Sequence, residues 1–178
     1  MLCIRPLGPQ DQDNLWTWLH HALWEPPPAP PRAREVLMRP EVRIYAEDWG
    51  RPGDVGVVAE VDNRDVGACW MRRLSAGVGL GFVDDQTPQL AIALLPEYRG
   101  QGYGQTLMLV ALQMAREAGF RQVSASVHPA NPALVLYERG GFRAHGERNG
   151  YRLLVAELQP LAHPAAPADQ LPPDVVRH

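Results

Sequence analysis

Residues 89–118 bring an almost wholly apolar segment, Gln89 to Leu95, straight into Arg99-Gly100-Gln101-Gly102-Tyr103-Gly104 and then into a helical repeat from Gly102 to Ala118. Few folds accommodate that succession. An uninterrupted apolar strand belongs in the middle of a sheet covered on both faces. On the helix, Gln105, Thr106, Gln113, Arg116 and Glu117 fall within about 120° of arc on a 3.6-residue wheel. The remaining surface is nearly all apolar, so the helix packs on the sheet. Three glycines in five positions let the backbone turn tightly with its N–H groups outward. Unpaired amides and a helix dipole together form an anion site suited to a pyrophosphate. The dipole contributes only about 0.3–1 kcal/mol, so several convergent amides must supply the rest. The plainer alternative is a turn that merely lets helix and strand pack closely.

Two phosphate motifs are excluded. All 17 basic residues are arginine, and a P-loop needs a lysine. The GxGxxG dinucleotide fingerprint fails because Gln105 occupies its third glycine position.

Around this unit the chain reads as short elements. Leu2 to Arg5 forms a first strand, and Leu15, Trp16, Trp18, Leu19, Ala22 and Leu23 recur at helical spacing. Pro26 to Pro31 stops that helix, and a second short one spans Arg32 to Met38. Val42 to Glu47 is expected as a strand. Val55 to Val61 and Val66 to Leu74 pair through Asp62-Asn63-Arg64-Asp65. Gly77, Gly79 and Gly81 make the following stretch flexible. Gln122 to His128 is a strand, Asn131 to Gly140 a short helix, and Phe142 to His145 pairs with Tyr151 to Leu158 around Asn149-Gly150. This order predicts a mixed α/β (α+β) layer fold, one curved sheet of about six or seven strands flanked by helices. Residues 1–159 form one domain, and residues 160–178, rich in proline and alanine, a tail outside its core.

The net charge of −3 advertises no nucleic-acid partner. Cys3 and Cys69 match no disulfide or CxxC pattern, and the amino terminus lacks a signal-peptide stretch. The longest apolar run, Leu107 to Leu112, is too short for a membrane span. The expectation is a cytoplasmic protein without membrane or metal, its oligomeric state open between monomer and homodimer.

Arg99-x-x-Gly102-x-Gly104, after a strand ending Leu94-Leu95-Pro96-Glu97-Tyr98, resembles the coenzyme A pyrophosphate loop of the GNAT superfamily of N-acetyltransferases. A second segment strengthens the resemblance. Asn131-Pro132-Ala133-Leu134-Val135-Leu136-Tyr137-Glu138-Arg139-Gly140-Gly141-Phe142 is similar to the N-x-A…LY-x-x-x-GF stretch that follows the fifth strand of these enzymes. The likeness runs from the first strand to about Leu158 and is sharpest over residues 89–142.

The resemblance implies an acetyl-CoA-dependent N-acetyltransferase whose strands splay around the cofactor. Arg99, Gly100, Gln101, Gly102, Tyr103, Gly104 and Gln105 would hold the pyrophosphate, and Asn131 the cofactor arm. The main chain of Ile92, Ala93 and Leu94 would pair with the pantetheine and polarise the thioester carbonyl. Tyr137 would act as the acid, since a phenol of pKa near 10 keeps its proton at neutral pH. A small-molecule or peptide amine would attack directly in a ternary complex.

The general base departs from the family pattern. Gln89 stands where relatives often carry glutamate, and Ala91, Ala93, Ser124 and Ser126 offer no substitute. Asp84, Asp85, Glu97 and His128 are the remaining candidates, each with an ordinary structural alternative. Trp24, Trp49 and Trp70 are candidates for the acceptor wall. The missing carboxylate leaves a competing reading, a non-catalytic acyl-CoA-binding sensor on the same fold.

Overall fold

The computed structural model describes residues 1–75 and 77–160. The predicted tail therefore lies, from residue 161 on, outside the described residues. Seven strands form one sheet: β1 (Leu2–Pro6), β2 (Val55–Val61), β3 (Arg64–Arg72), β4 (Gln89–Leu94), β5 (Gln122–Val127), β6 (Arg143–Arg148) and β7 (Tyr151–Glu157). Their spatial order is β1-β2-β3-β4-β5-β7-β6, antiparallel except for the parallel β4–β5 pair. The β2–β3 turn uses Asp62 and Asn63 at φ 49° and 64°, and the β6–β7 turn uses Asn149 and Gly150 at 50° and 80°. Two consecutive left-handed residues match the twist of an antiparallel pair, which is why Asp, Asn and Gly stand there.

Helices α1 (Gln12–Ala22) and α2 (Pro40–Arg43) lie before β2, α3 (Tyr103–Glu117) joins β4 to β5, and α4 (Leu134–Arg139) follows β5. Two expectations are corrected. Val42 to Glu47 is not a strand: Pro40 sets the helical φ at the first position of α2. Val42, Ala46 and Trp49 are all buried, a spacing of four and three that suits helical turns. The short helix after Arg32 is a 3-10 segment over Arg34–Met38.

The sheet separates two cores. Leu107, Met108, Ala111 and Leu112 of α3 pack with Val57, Leu90 and Leu94 on one face. Leu15, Trp18 and Leu19 of α1 pack with Val58, Trp70 and Ala93 on the other. β4 is thus covered on both sides, as its unbroken apolar sequence requires. Arg72, 2% exposed, pins the segment after α2 to the sheet. It donates to Asp54 at 2.6 and 3.0 Å and to the carbonyls of Ile44 and Glu47 at 2.9 and 2.7 Å. No described helix is long and apolar enough to cross a membrane.

Candidate active site

β4 and β5 touch at one register pair, Gln89 with Ser124, and the amide of Ser124 donates to Pro88 O at 3.0 Å. Beyond it the strands diverge. The amide of Leu95 donates to Val66 O at 2.8 Å on the β3 side. Backbone groups alternate sides along a strand, so Ala91 and Ala93 face β3 while Leu90, Ile92 and Leu94 face the gap. This refines the expected contacts. Ala93 spends its peptide groups on the β3 ladder opposite Ala68, and Leu94 O accepts Arg99 Nε at 2.9 Å. The N–H and C=O of Ile92 and the N–H of Leu94 remain directed into the furrow.

At the end of that furrow sits the glycine turn. Gly100 and Gly102 hold φ of 72° and 83°, with no atom within 4 Å of where a Cβ would lie. Gly102 is the residue before α3. The amide of Arg99 is occupied by Pro96 O at 3.2 Å, and the next amide bonded to protein is that of Thr106, to Gly102 O at 3.4 Å. Six consecutive amides, residues 100–105, therefore have no protein acceptor among the described residues. That is the donor array an anionic diphosphate needs. Arg99 Nε is spent on Leu94 O, and no hydrogen bond holds its terminal guanidinium nitrogens among the described residues. Burial draws its pKa below the ordinary value while Glu97 opposes the shift. Gly104 lies in the first turn of α3, where a Cβ would meet Leu136 and Leu94 at ordinary distances of 3.5 and 3.6 Å.

The other end of the furrow opens into a cavity of about 490 Å³. Ile92, Ser126 and Tyr137 line its floor, and Leu19, Leu23 and Val42 give it an apolar wall. Tyr137 is buried, its ring edge-on to Phe142 with centroids 5.3 Å apart. Burial raises its pKa above that of a free phenol, so it is held protonated. Asn131 does not cap α4. Its Oδ1 accepts the amide of Ala133 at 2.9 Å, closing a turn one residue before the helix.

The base candidates separate by position. Gln89 is buried and engaged at both ends of its amide: its Oε1 accepts from the Tyr45 hydroxyl at 2.7 Å and the Gly81 amide at 3.1 Å, and its Nε2 donates to Val78 O at 2.8 Å. It anchors the 77–82 segment, which is thereby held against β4 instead of hanging free. Asp84 caps its own loop through Thr87 and Gln86, and the Thr87 hydroxyl first among these bonds lowers its pKa. It lines a different hollow. Asp85 is exposed, and Glu97 pairs with Arg64 at 3.4 Å on the surface. His128 packs between Trp24, tilted at 53°, and Tyr151, edge-on at 89°, two residues of the cavity wall. Its Nδ1 accepts the Ala130 amide at 3.1 Å, so in the neutral ring Nε2 carries the proton and has no lone pair to offer.

Among the tryptophans only Trp24 lines the cavity. Trp49 and Trp70 are buried, with indoles bonded to Leu7 O and Tyr45 O. Sequence reasoning missed Tyr45 and Arg148. Arg148 reaches from β6 to donate to Phe82 O at 2.8 Å and more loosely to Gly79 O and Leu80 O. Neither residue carries a local motif; they meet only through the tertiary fold. Among the described residues no group of His, Cys, Asp and Glu is gathered to hold a metal ion.

Comparison with known proteins matches the model of the Acetyltransferase (GNAT) family to residues 16–142. A Bacillus subtilis (strain 168) protein named for ribosomal protein bS18-alanine N-acetyltransferase activity is 34% identical over 109 residues, 61% of this chain and 66% of its own. A mycothiol acetyltransferase of Nocardiopsis dassonvillei is 27% identical over 113 residues, 63% of this chain and 34% of its own. The chain thus spans just under two thirds of one relative and about one third of the other. Among solved structures, that of yncA from Salmonella typhimurium with acetyl-CoA superposes with a TM-score of 0.65 at 18% identity, covering 93% of this chain and 99% of that one. That likeness is one of fold.

Proposed function

The chain belongs to the GNAT acetyltransferase family, and from that membership together with the furrow we propose that it transfers an acetyl group from acetyl-CoA to an amine. The carrying observation is the run of six unpaired amides, 100–105, at one end of a gap whose strand edge also offers Ile92. The loop amides and Arg99 hold the diphosphate. The free edge of Ile92 and Leu94 pairs with the pantetheine arm, and its N–H groups stabilise charge on the thioester oxygen. Asn131 borders the arm beside α4.

Both substrates are bound when the amine attacks, so positioning supplies much of the rate. The amine nitrogen bonds to the carbonyl carbon, the carbon–sulfur bond breaks, and Tyr137 gives its proton to the departing sulfur while recovering the one the nitrogen sheds. The relatives are named for a ribosomal-protein alanine and for mycothiol, so their names assign no single acceptor here.

Two measurements test the reading. Acetyl-CoA at 100 times its dissociation constant should add about 2.7 kcal/mol to stability, and free thiol should appear once an amine is supplied. Heat stabilisation without thiol release from any amine would turn the protein into a sensor of the cofactor. Absence of stabilisation would remove the cofactor site.

A further inference from the structure

Resting on the transferase reading above, we infer that the cavity buries no base among the described residues and takes its acceptor as an uncharged amine, which makes the acceptor the α-amino group of a peptide in preference to a lysine side chain or a polyamine.

The groups that face the cavity come from five parts of the fold. Before α2, Arg32 lies on its wall, ion-paired with Glu25, and Arg39 stands exposed at the mouth with no carboxylate partner among the described residues. From α2 and the turn after it come Glu41, also exposed at the mouth, and Tyr45. Burial pushes the Tyr45 phenol up to about 12, and its hydroxyl donates to Gln89. β5 supplies Ser126 and α4 supplies Tyr137. The β6–β7 hairpin supplies Arg148, half-buried, and Tyr151, whose hydroxyl accepts from Arg32 at 3.3 Å. With Glu25 neutralising Arg32, the guanidinium groups of Arg39 and Arg148 are left facing one lining carboxylate, Glu41, and that carboxylate sits at the rim.

Such a wall works against an ammonium ion. Burial and like charge both lower the pKa of a bound amine. An amine that arrives neutral also needs no base. It loses one proton on forming the amide, the sulfur needs one, and Tyr137 can pass the first to the second while remaining a phenol. The burial that raises its pKa penalises a phenolate, so release toward sulfur and recovery from nitrogen must be coupled. At pH 7.5 about one third of a peptide α-amine of pKa about 7.8 is neutral, against about one part in a thousand of a lysine amine of pKa about 10.4. The difference is roughly 300-fold.

The test compares the full chain acting on an unblocked tetrapeptide and on Nα-acetyl-lysine amide, with kcat/KM followed from pH 6 to 10.5. Each profile should rise tenfold per pH unit and level at the acceptor's own pKa. At pH 7.5 the lysine derivative should be at least about 100-fold poorer. Arg39→Glu, at an exposed position, should shift the preference several-fold toward the lysine derivative. Profiles that level at one common pH would reveal a base in the protein and overturn the inference. So would parity of the two acceptors at pH 7.5, or loss of peptide turnover in Glu41→Gln. A peptide that is never acetylated also overturns it, and heat stabilisation by acetyl-CoA then reports separately whether the cofactor site survives.

Discussion

Replacing Tyr137 by Phe isolates one atom. The ring is 7% exposed and packs edge-on against Phe142 at 82°, and Phe keeps both the volume and that contact. The hydroxyl makes no hydrogen bond to the described protein, and it is not among the sealed polar atoms; it opens on the cavity that Tyr137 lines. Removing it therefore breaks no protein bond, and stability should move by less than about 1 kcal/mol. Acetyl-CoA affinity should hardly change, because the diphosphate is gripped by main chain at residues 100–105. The loss falls on the step in which sulfur gains its proton. Loss of a positioned acid costs about 10²- to 10⁴-fold, or about 2.7–5.4 kcal/mol of barrier. The assay is thiol release at saturating acetyl-CoA and amine, read beside the melting temperature with and without acetyl-CoA. Since burial raises the Tyr137 pKa above 10, the parent protein should show no falling limb from this group between pH 7 and 10. A Phe variant within threefold of the parent in kcat, equally stable and equally able to bind acetyl-CoA, would refute the assignment.

Two further outcomes follow from the same geometry. Gly102→Val forces a branched residue into φ 83° beside the free amides and should abolish stabilisation by acetyl-CoA, whereas Gly104→Ala, which meets only ordinary contacts, should retain it; differential scanning with acetyl-CoA separates them. Asp11 is buried and would be raised by burial, yet the bidentate Arg5 guanidinium and the Gly8 amide hold its carboxyl below the usual range. A depressed carboxylate stabilises the fold above the unfolded pKa near 3.9 and loses that contribution as pH falls through the folded value. Asp11→Asn should therefore cost about 2 kcal/mol in urea unfolding at pH 7, with the two proteins converging as pH falls below the unfolded carboxylate value of about 3.9.

Much of this was legible in the sequence because the signals are local. The apolar run 89–95 has no polar alternation, so it had to lie under two layers, and it does. The glycines at 100 and 102 announced a left-handed turn before an amphipathic helix. The pairs Asp62-Asn63 and Asn149-Gly150 specified their hairpins by conformational preference alone. Val42 to Glu47 misled because a short apolar run reads equally as strand or helix, and Pro40 together with burial against the sheet decided it.

What the chain determines by itself is backbone chemistry: where it must turn, where amides are left unpaired, which strand is buried on both sides. The separation of β4 from β5, the occupation of Ala93 and Leu94 O by other partners, and the gathering of Arg32, Arg39 and Arg148 around one cavity are decided only in three dimensions. The physical reason is separation along the chain. A residue's own sequence neighbours dictate its φ and ψ, but its electrostatic surroundings come from elements more than a hundred positions away, and only packing brings those together.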